Sequence, residues 1–264
     1  MKRRAIIIGN EGILGSKEHH FLSGVRTDMS SFYEFIASDN GGAWGIQEIL
    51  PFEVNKVTRD LLKDAIYKER NEGEVDYWLI YFSGHGGSDA NGIDYIENRP
   101  GEAISIDNII DFISPRSKVL VITDACRVLV LEHGGKIPST KYFSDSEKPM
   151  TIYRQRCRNL YNAQVENIPQ GSVFIGQACS PGQSSVDGGL AMGGVYTNAV
   201  IQTAKRLISI EQAKKMAKND YDKVISYPYV HYLAANAVNT RPNNNQTPTY
   251  RGPKSFQPPF CVIP

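Results

Sequence analysis

Long apolar runs, clustered cysteines and an excess of either charge are all missing from this chain of 264 residues. With 29 Lys and Arg against 28 Asp and Glu, the net charge of +1 provides no field to draw in nucleic acid or an anionic membrane. Neither is expected as a partner. The four cysteines, at positions 126, 157, 179 and 261, form no C-x-x-C pair and no dense framework, which argues against disulfides and against a structural zinc site. The first residues are basic and then apolar, but Gly9-Asn10-Glu11 ends that run far short of a signal-peptide core. No later run approaches membrane-spanning length. The expected location is therefore the cytoplasm, where thiols stay reduced, and no leading domain is expected ahead of the first strand.

What is present is the composition of a globular domain, 41% apolar and 22% charged. Four short apolar stretches, residues 5–9, 77–83, 119–124 and 172–177, read as strands buried on both faces. Helical spacing separates them. Val25, Met29, Phe32 and Ile36 mark one helix; Leu62 and Ile66 mark a second, with Thr58 placed to cap it and Asp60 in its first turn; Ile106, Ile109, Ile110 and Ile113 mark a third. This alternation predicts an α/β fold with a mostly parallel central sheet and helices on both faces, and right-handed crossovers then leave the strand ends on one edge. Residues 131–170 break the pattern. They are polar, carry Lys136, Lys141, Lys148, Arg154, Arg156 and Arg158, and read as a long loop bordering whatever site the preceding strand presents. Two more helices are expected over 196–208 and 211–218, a turn-rich segment over 239–248, and an edge strand at Pro259–Ile263.

Two strand ends carry the chemistry: Ser83-Gly84-His85-Gly86-Gly87 and Thr123-Asp124-Ala125-Cys126-Arg127. If the two strands lie side by side, His85 and Cys126 emerge together where open α/β sheets place their sites. A thiol beside an imidazole is a candidate nucleophile with its base. The glycines flanking His85 leave room for a substrate backbone, and the N–H groups of Gly86 and Cys126 are candidates for an oxyanion hole. Cys157, Cys179 and Cys261 read as small buried hydrophobes, and His19, His20, His133 and His231 as structural or surface residues. Gly9-Asn10-Glu11-Gly12-Ile13-Leu14-Gly15 invites a phosphate-loop reading, but its spacing is GxxGxxG rather than GxGxxG. A turn is the expected outcome there, with a nucleotide-binding protein kept as an alternative.

These motifs resemble those of the caspase and metacaspase superfamily of cysteine peptidases, the metacaspase branch most of all. Arg4-Ala5-Ile6-Ile7-Ile8-Gly9 is similar to its first strand and Leu22-Ser23-Gly24-Val25 through Asp28 to the small loop and helix start that follow. Tyr81-Phe82-Ser83-Gly84-His85-Gly86-Gly87 carries the family histidine, and Thr123-Asp124-Ala125-Cys126 the nucleophile in the Asp-x-Cys form. Ala178-Cys179-Ser180-Pro181-Gly182-Gln183-Ser184-Ser185-Val186-Asp187, Gly194-Val195-Tyr196-Thr197 and Gln246-Thr247-Pro248 match later family segments, so the likeness spans nearly the whole chain.

The resemblance implies a caspase-like three-layer fold in one catalytic domain, residues 1–264. Within it, 1–130 form a larger portion, about 131–170 an inter-subunit-type loop and 171–264 a smaller portion. It also implies a hydrolase of protein or peptide substrates with His85 and Cys126 as its dyad, and an S1 pocket for Arg or Lys lined by Asp124 and Asp187. Two carboxylates at a pocket base repel an acidic side chain and pair with a guanidinium. The basic residues of 131–170 are candidate positions for an activating cut, by the chain itself or by an upstream protease. No cofactor is required, and Ser180-Pro181-Gly182 lacks the acidic residues that help many metacaspases bind calcium. Val128 replaces a family glycine. A monomer and a dimer are both compatible with the resemblance, as are a caspase-like peptidase with a non-basic P1 preference and an inactive caspase-like interaction module.

Overall fold

In the computed structural model, residues 1–127, 147–218, 221–241 and 245–264 are described. The apolar stretches form the strands β1 (Arg3–Asn10), β3 (Tyr77–Gly84), β7 (Lys118–Ala125) and β8 (Val173–Gln177), with the short β2 (Ile49–Pro51) beside β1. These five pair in parallel, and the antiparallel β10 (Thr249–Arg251) completes a six-stranded sheet in the order β10-β8-β7-β3-β1-β2. Strand periodicity sends alternate side chains to opposite faces. Ala5, Ile7, Leu79, Tyr81, Leu120 and Ile122 enter one core, while Ile6, Ile8, Trp78, Ile80, Val119 and Val121 enter the other.

The helices cover both faces as expected. On the first core lie α1 (Val25–Ala37), α4 (Ile152–Glu166), α5 (Val195–Lys218) and α6 (Tyr227–Asn239); on the second lie α2 (Arg59–Asn71) and α3 (Ile106–Phe112). Thr58 caps α2, its hydroxyl accepting from the Leu61 N–H at 3.0 Å. A three-stranded antiparallel sheet, β4 (Gly86–Ser88), β5 (Asp94–Arg99) and β6 (Glu102–Ser105), follows β3 directly. Among the described residues no helix is long and apolar enough to cross a membrane.

Three expectations are corrected. Residues 131–170 are not a loop throughout, because α4 occupies 152–166. Its inward face is Arg154, Cys157, Tyr161 and Val165, and a leading arginine hides the apolar period. Arg154 donates to the Ala37 and Trp44 carbonyls and to Asp39, Arg158 pairs with Glu48, and Arg156 pairs with Asp222. Second, 196–208 and 211–218 belong to one helix, α5: Ser209, at the apparent break, turns its hydroxyl onto the Lys205 carbonyl and keeps the helical path. Third, the closing strand β11 (Pro259–Ile263) does not edge the main sheet. It is buried along its length and pairs antiparallel with β9 (Lys223–Ser226).

Cys157, Cys179 and Cys261 are buried, as their composition suggested. His231 is buried on α6 with Nδ1 2.7 Å from the Tyr196 hydroxyl, which lies 2.5 Å from that of Tyr227. Burial pushes its pKa from 6.5 down to about 4. The unfolded chain therefore takes up this proton first, so the stability present above pH 6.5 is lost as pH falls toward 4, by roughly 3 kcal/mol in all. His231→Phe should flatten the fall of Tm across that window. An unchanged slope would remove His231 as its cause.

Candidate active site

Parallel pairing of β3 with β7 places Gly84 opposite Ala125. His85 and Cys126 are each the next residue, so both leave the sheet at the same height. Gly84 has φ of 145°, and a Cβ there would stand 2.3 Å from the Asn10 carbonyl oxygen, so glycine is required where the chain turns from the main sheet into β4. The thiol of Cys126 lies 3.8 Å from the Ser185 carbonyl. His85 Nε2 lies 2.7 Å from the His20 carbonyl oxygen, which fixes the ring by its outer nitrogen.

A cavity of about 220 Å³ opens beside this pair. Its lining includes His85, Cys126, Asp124, Asp187 and one carboxylate to which the sequence reading gave no site role, Asp28; it includes no Lys or Arg among the described residues. Asp28 lies on the buried face of α1 with Val25, Met29 and Phe32. An acid at an apolar position of an amphipathic helix was the signal available.

Asp28 accepts from the Ser83 hydroxyl at 2.7 Å and from the Gly194 N–H at 2.7 Å. Asp124 accepts from the Ser185 hydroxyl and, at 2.8 Å each, from the Thr197 N–H and hydroxyl. Both carboxylates thus sit at the start of α5, where the helix dipole favours negative charge. Asp187 is exposed and accepts from the Gly189 N–H at 2.9 Å and the Gly24 N–H at 3.3 Å. A Cβ at Gly194 would fall 2.3 Å from Asp124 Oδ2 and 2.9 Å from Asp28 Oδ2, so only glycine lets the two acids converge.

Burial, and then the charge of Asp124, hold the Asp28 carboxyl well above the usual range. Burial also raises Asp124, opposed by its hydrogen bonds from Ser185 and Thr197. The pocket is short of positive charge. For His85, burial pushes the pKa down, while the His20 carbonyl and the Glu97 carboxylate pull it back up. That direction keeps the imidazole neutral and able to accept a proton near neutral pH.

The Gly86 N–H is aimed by the β4–β5 ladder. Hydrogen bonds from Glu97 N–H to the His85 carbonyl and from Asp89 N–H to the Ile93 carbonyl mark 85, 87 and 89 as the paired positions. Antiparallel alternation then turns the Gly86 N–H away from β5. Its Cα packs against the nucleophile's strand end, an added Cβ meeting that of Ala125 at 2.9 Å.

Residues 10–22 do not form a phosphate cradle. The N–H groups of Gly12, Ile13 and Ser16 are spent on the Asn10 side chain and the His19 and Ile13 carbonyls. Val128, Lys136, Lys141 and His133 lie outside the described residues. Among those described, no group of three or more His, Cys, Asp or Glu side chains is arranged to hold a metal ion.

The family model described as the caspase domain matches residues 2–250. Among solved structures the chain is similar to a protein from Geobacter sulfurreducens, with a TM-score of 0.59, 19% identity and 100% of each chain covered, a likeness that carries the fold alone. No curated protein matches.

Proposed function

The chain belongs to the caspase-domain family of cysteine peptidases, and from that membership we propose that it is an endopeptidase cleaving after Arg or Lys with Cys126 and His85 as its dyad. One observation carries the basic preference. Asp28, Asp124 and Asp187 line the cavity beside the thiol, with no Lys or Arg among its described lining residues. A guanidinium entering it supplies the missing charge and finds carboxylate oxygens on Asp28 and Asp124 that are not saturated by their present donors.

In the reaction the Cys126 sulfur attacks the carbonyl carbon of the basic residue after its proton passes to His85. The Gly86 and Cys126 N–H groups hold the oxyanion. The imidazolium then protonates the leaving amine as the C–N bond breaks, and water, deprotonated by the neutral ring, cleaves the thioester. An activating cut, if the chain uses one, is assigned among the described residues to Lys148, which is exposed and outside any helix or strand. Arg154, Arg156 and Arg158 are committed to α4 and its ion pairs.

A thiol-reactive peptide probe with arginine at P1 is expected to label Cys126, and labelling should be much faster than with aspartate at P1. Equal rates would overturn the basic preference. Labelling that maps elsewhere would overturn the peptidase assignment.

A further inference from the structure

The imidazole of His85 is held through a loop rather than by a side chain of its own sheet. The N-terminal loop after β1 closes on itself, the Leu22 N–H donating to the Glu11 carbonyl at 2.7 Å and the Ile13 N–H to the His19 carbonyl at 2.8 Å. It delivers the His20 carbonyl to His85 Nε2. What ties this loop to the catalytic layer is a side-chain contact shielded from solvent: His19 Nδ1 lies 2.9 Å from Glu97 Oε1, with the two side chains only 9% and 15% exposed.

Glu97 is bound on several sides. Its N–H donates to the His85 carbonyl at 2.9 Å, its own carbonyl accepts from Asn10 at 2.8 Å, and Oε1 also accepts from the Gly101 N–H at 2.6 Å. One residue therefore fixes the backbone of His85 and, through His19, the acceptor that orients the His85 ring. We infer that Glu97 is the positioning residue of the catalytic imidazole, setting its orientation through His19 and through the backbone bond to His85. This assignment rests on His85 being the catalytic base. It adds to that reading a carboxylate that never touches substrate.

The charged and titratable groups facing His85 come from several elements. They are His19 and His20 on the loop, Glu97 on β5, Asp124 and Cys126 at the end of β7, Asp28 on α1 and Asp187 before α5. Two of them act in opposite senses: the Glu97 carboxylate favours the imidazolium, and His19 opposes it. Opposite signs give a test that a purely structural role would not pass.

The ring protons of His85 can be followed by NMR titration of the whole chain without substrate, beside the pH profile of kcat/KM on an arginyl peptide. Glu97→Gln keeps an oxygen for His19 and Gly101 but removes the charge. The His85 midpoint should move to lower pH, and the acidic limb of the profile should move with it. His19→Gln should move the midpoint to higher pH. Midpoints that stay in place, or that shift in the same direction in both variants, would overturn the role of Glu97. If Glu97→Gln does not fold, the direction of the His19→Gln shift still decides. Opposed NMR shifts in a chain that cleaves no peptide would leave the link from Glu97 to the His85 ring standing and remove the peptidase reading instead.

Discussion

Cys126→Ala should lower kcat/KM on an arginyl fluorogenic peptide by roughly 10⁴- to 10⁶-fold while leaving the fold in place. The expected loss is that large because nothing nearby can replace the sulfur. Burial pushes the Cys179 and Cys261 thiols up to about 12 and that of Cys157 up to about 11, so each is held as the unreactive thiol. Cys126 alone of the four is not fully buried, and it lines the cavity. Its side chain is small and only partly buried, so the change in stability should stay within about 1 kcal/mol. Activity that survives in Cys126→Ala, or is lost instead in Cys179→Ala, would refute the assignment of the nucleophile. Thermal unfolding of each variant separates that outcome from misfolding.

Asp28→Asn should do two opposite things, stabilise the protein and weaken its action on basic peptides. An asparagine fits the existing bonds: its oxygen can keep the Gly194 N–H, and its amide can donate to the Ser83 hydroxyl, which turns to accept. What disappears is an ionisable carboxyl buried beside a second one, that of Asp124. The folded state binds this proton more tightly than the unfolded chain does, so stability falls as pH rises from the ordinary carboxylate range through the raised pKa, and this carboxyl is a cost to the fold once the unfolded chain has ionised. Tm should therefore rise at pH 7, and the difference from the parent should shrink on acidification. Cleavage after arginine should meanwhile fall on the order of 10²-fold, the effect of removing one partner from a desolvated ion pair. A variant that gains stability and keeps its full arginine preference would show that Asp28 is only a cap for α5.

The pairing of these outcomes follows from how the pocket is made. Asp28 and Asp124 are both caps of a long helix and candidate binding groups, a strained arrangement that a ligand cation would relieve. The alternative in which Asp124 merely ends a strand and Asp187 merely sits in a turn describes real hydrogen bonds. Both residues line the cavity all the same.

Much of the fold was legible because it is encoded locally. Each central strand is an apolar run ended by glycine or a polar residue, and the α1 and α2 patterns hold helical spacing in plain view. The parts that escaped are those where tertiary partners supply what the local code lacks. Arg154 can face the core of α4 because Asp39 and two carbonyls receive it. The strands β2 and β10 are only three residues long and exist through the neighbours they pair with.

By itself the sequence determined the central strands and the helices flanking them, and it singled out His85 and Cys126, because apolar period, glycine punctuation and a free thiol are properties of short segments. Tertiary structure alone decided that Gly84 and Ala125 stand in register, that Asp28 joins Asp124 at the start of α5, and that Glu97 reaches His85 through His19. These depend on residues far apart in the chain being brought within hydrogen-bonding distance, and no local period in the sequence records which distant partners will meet.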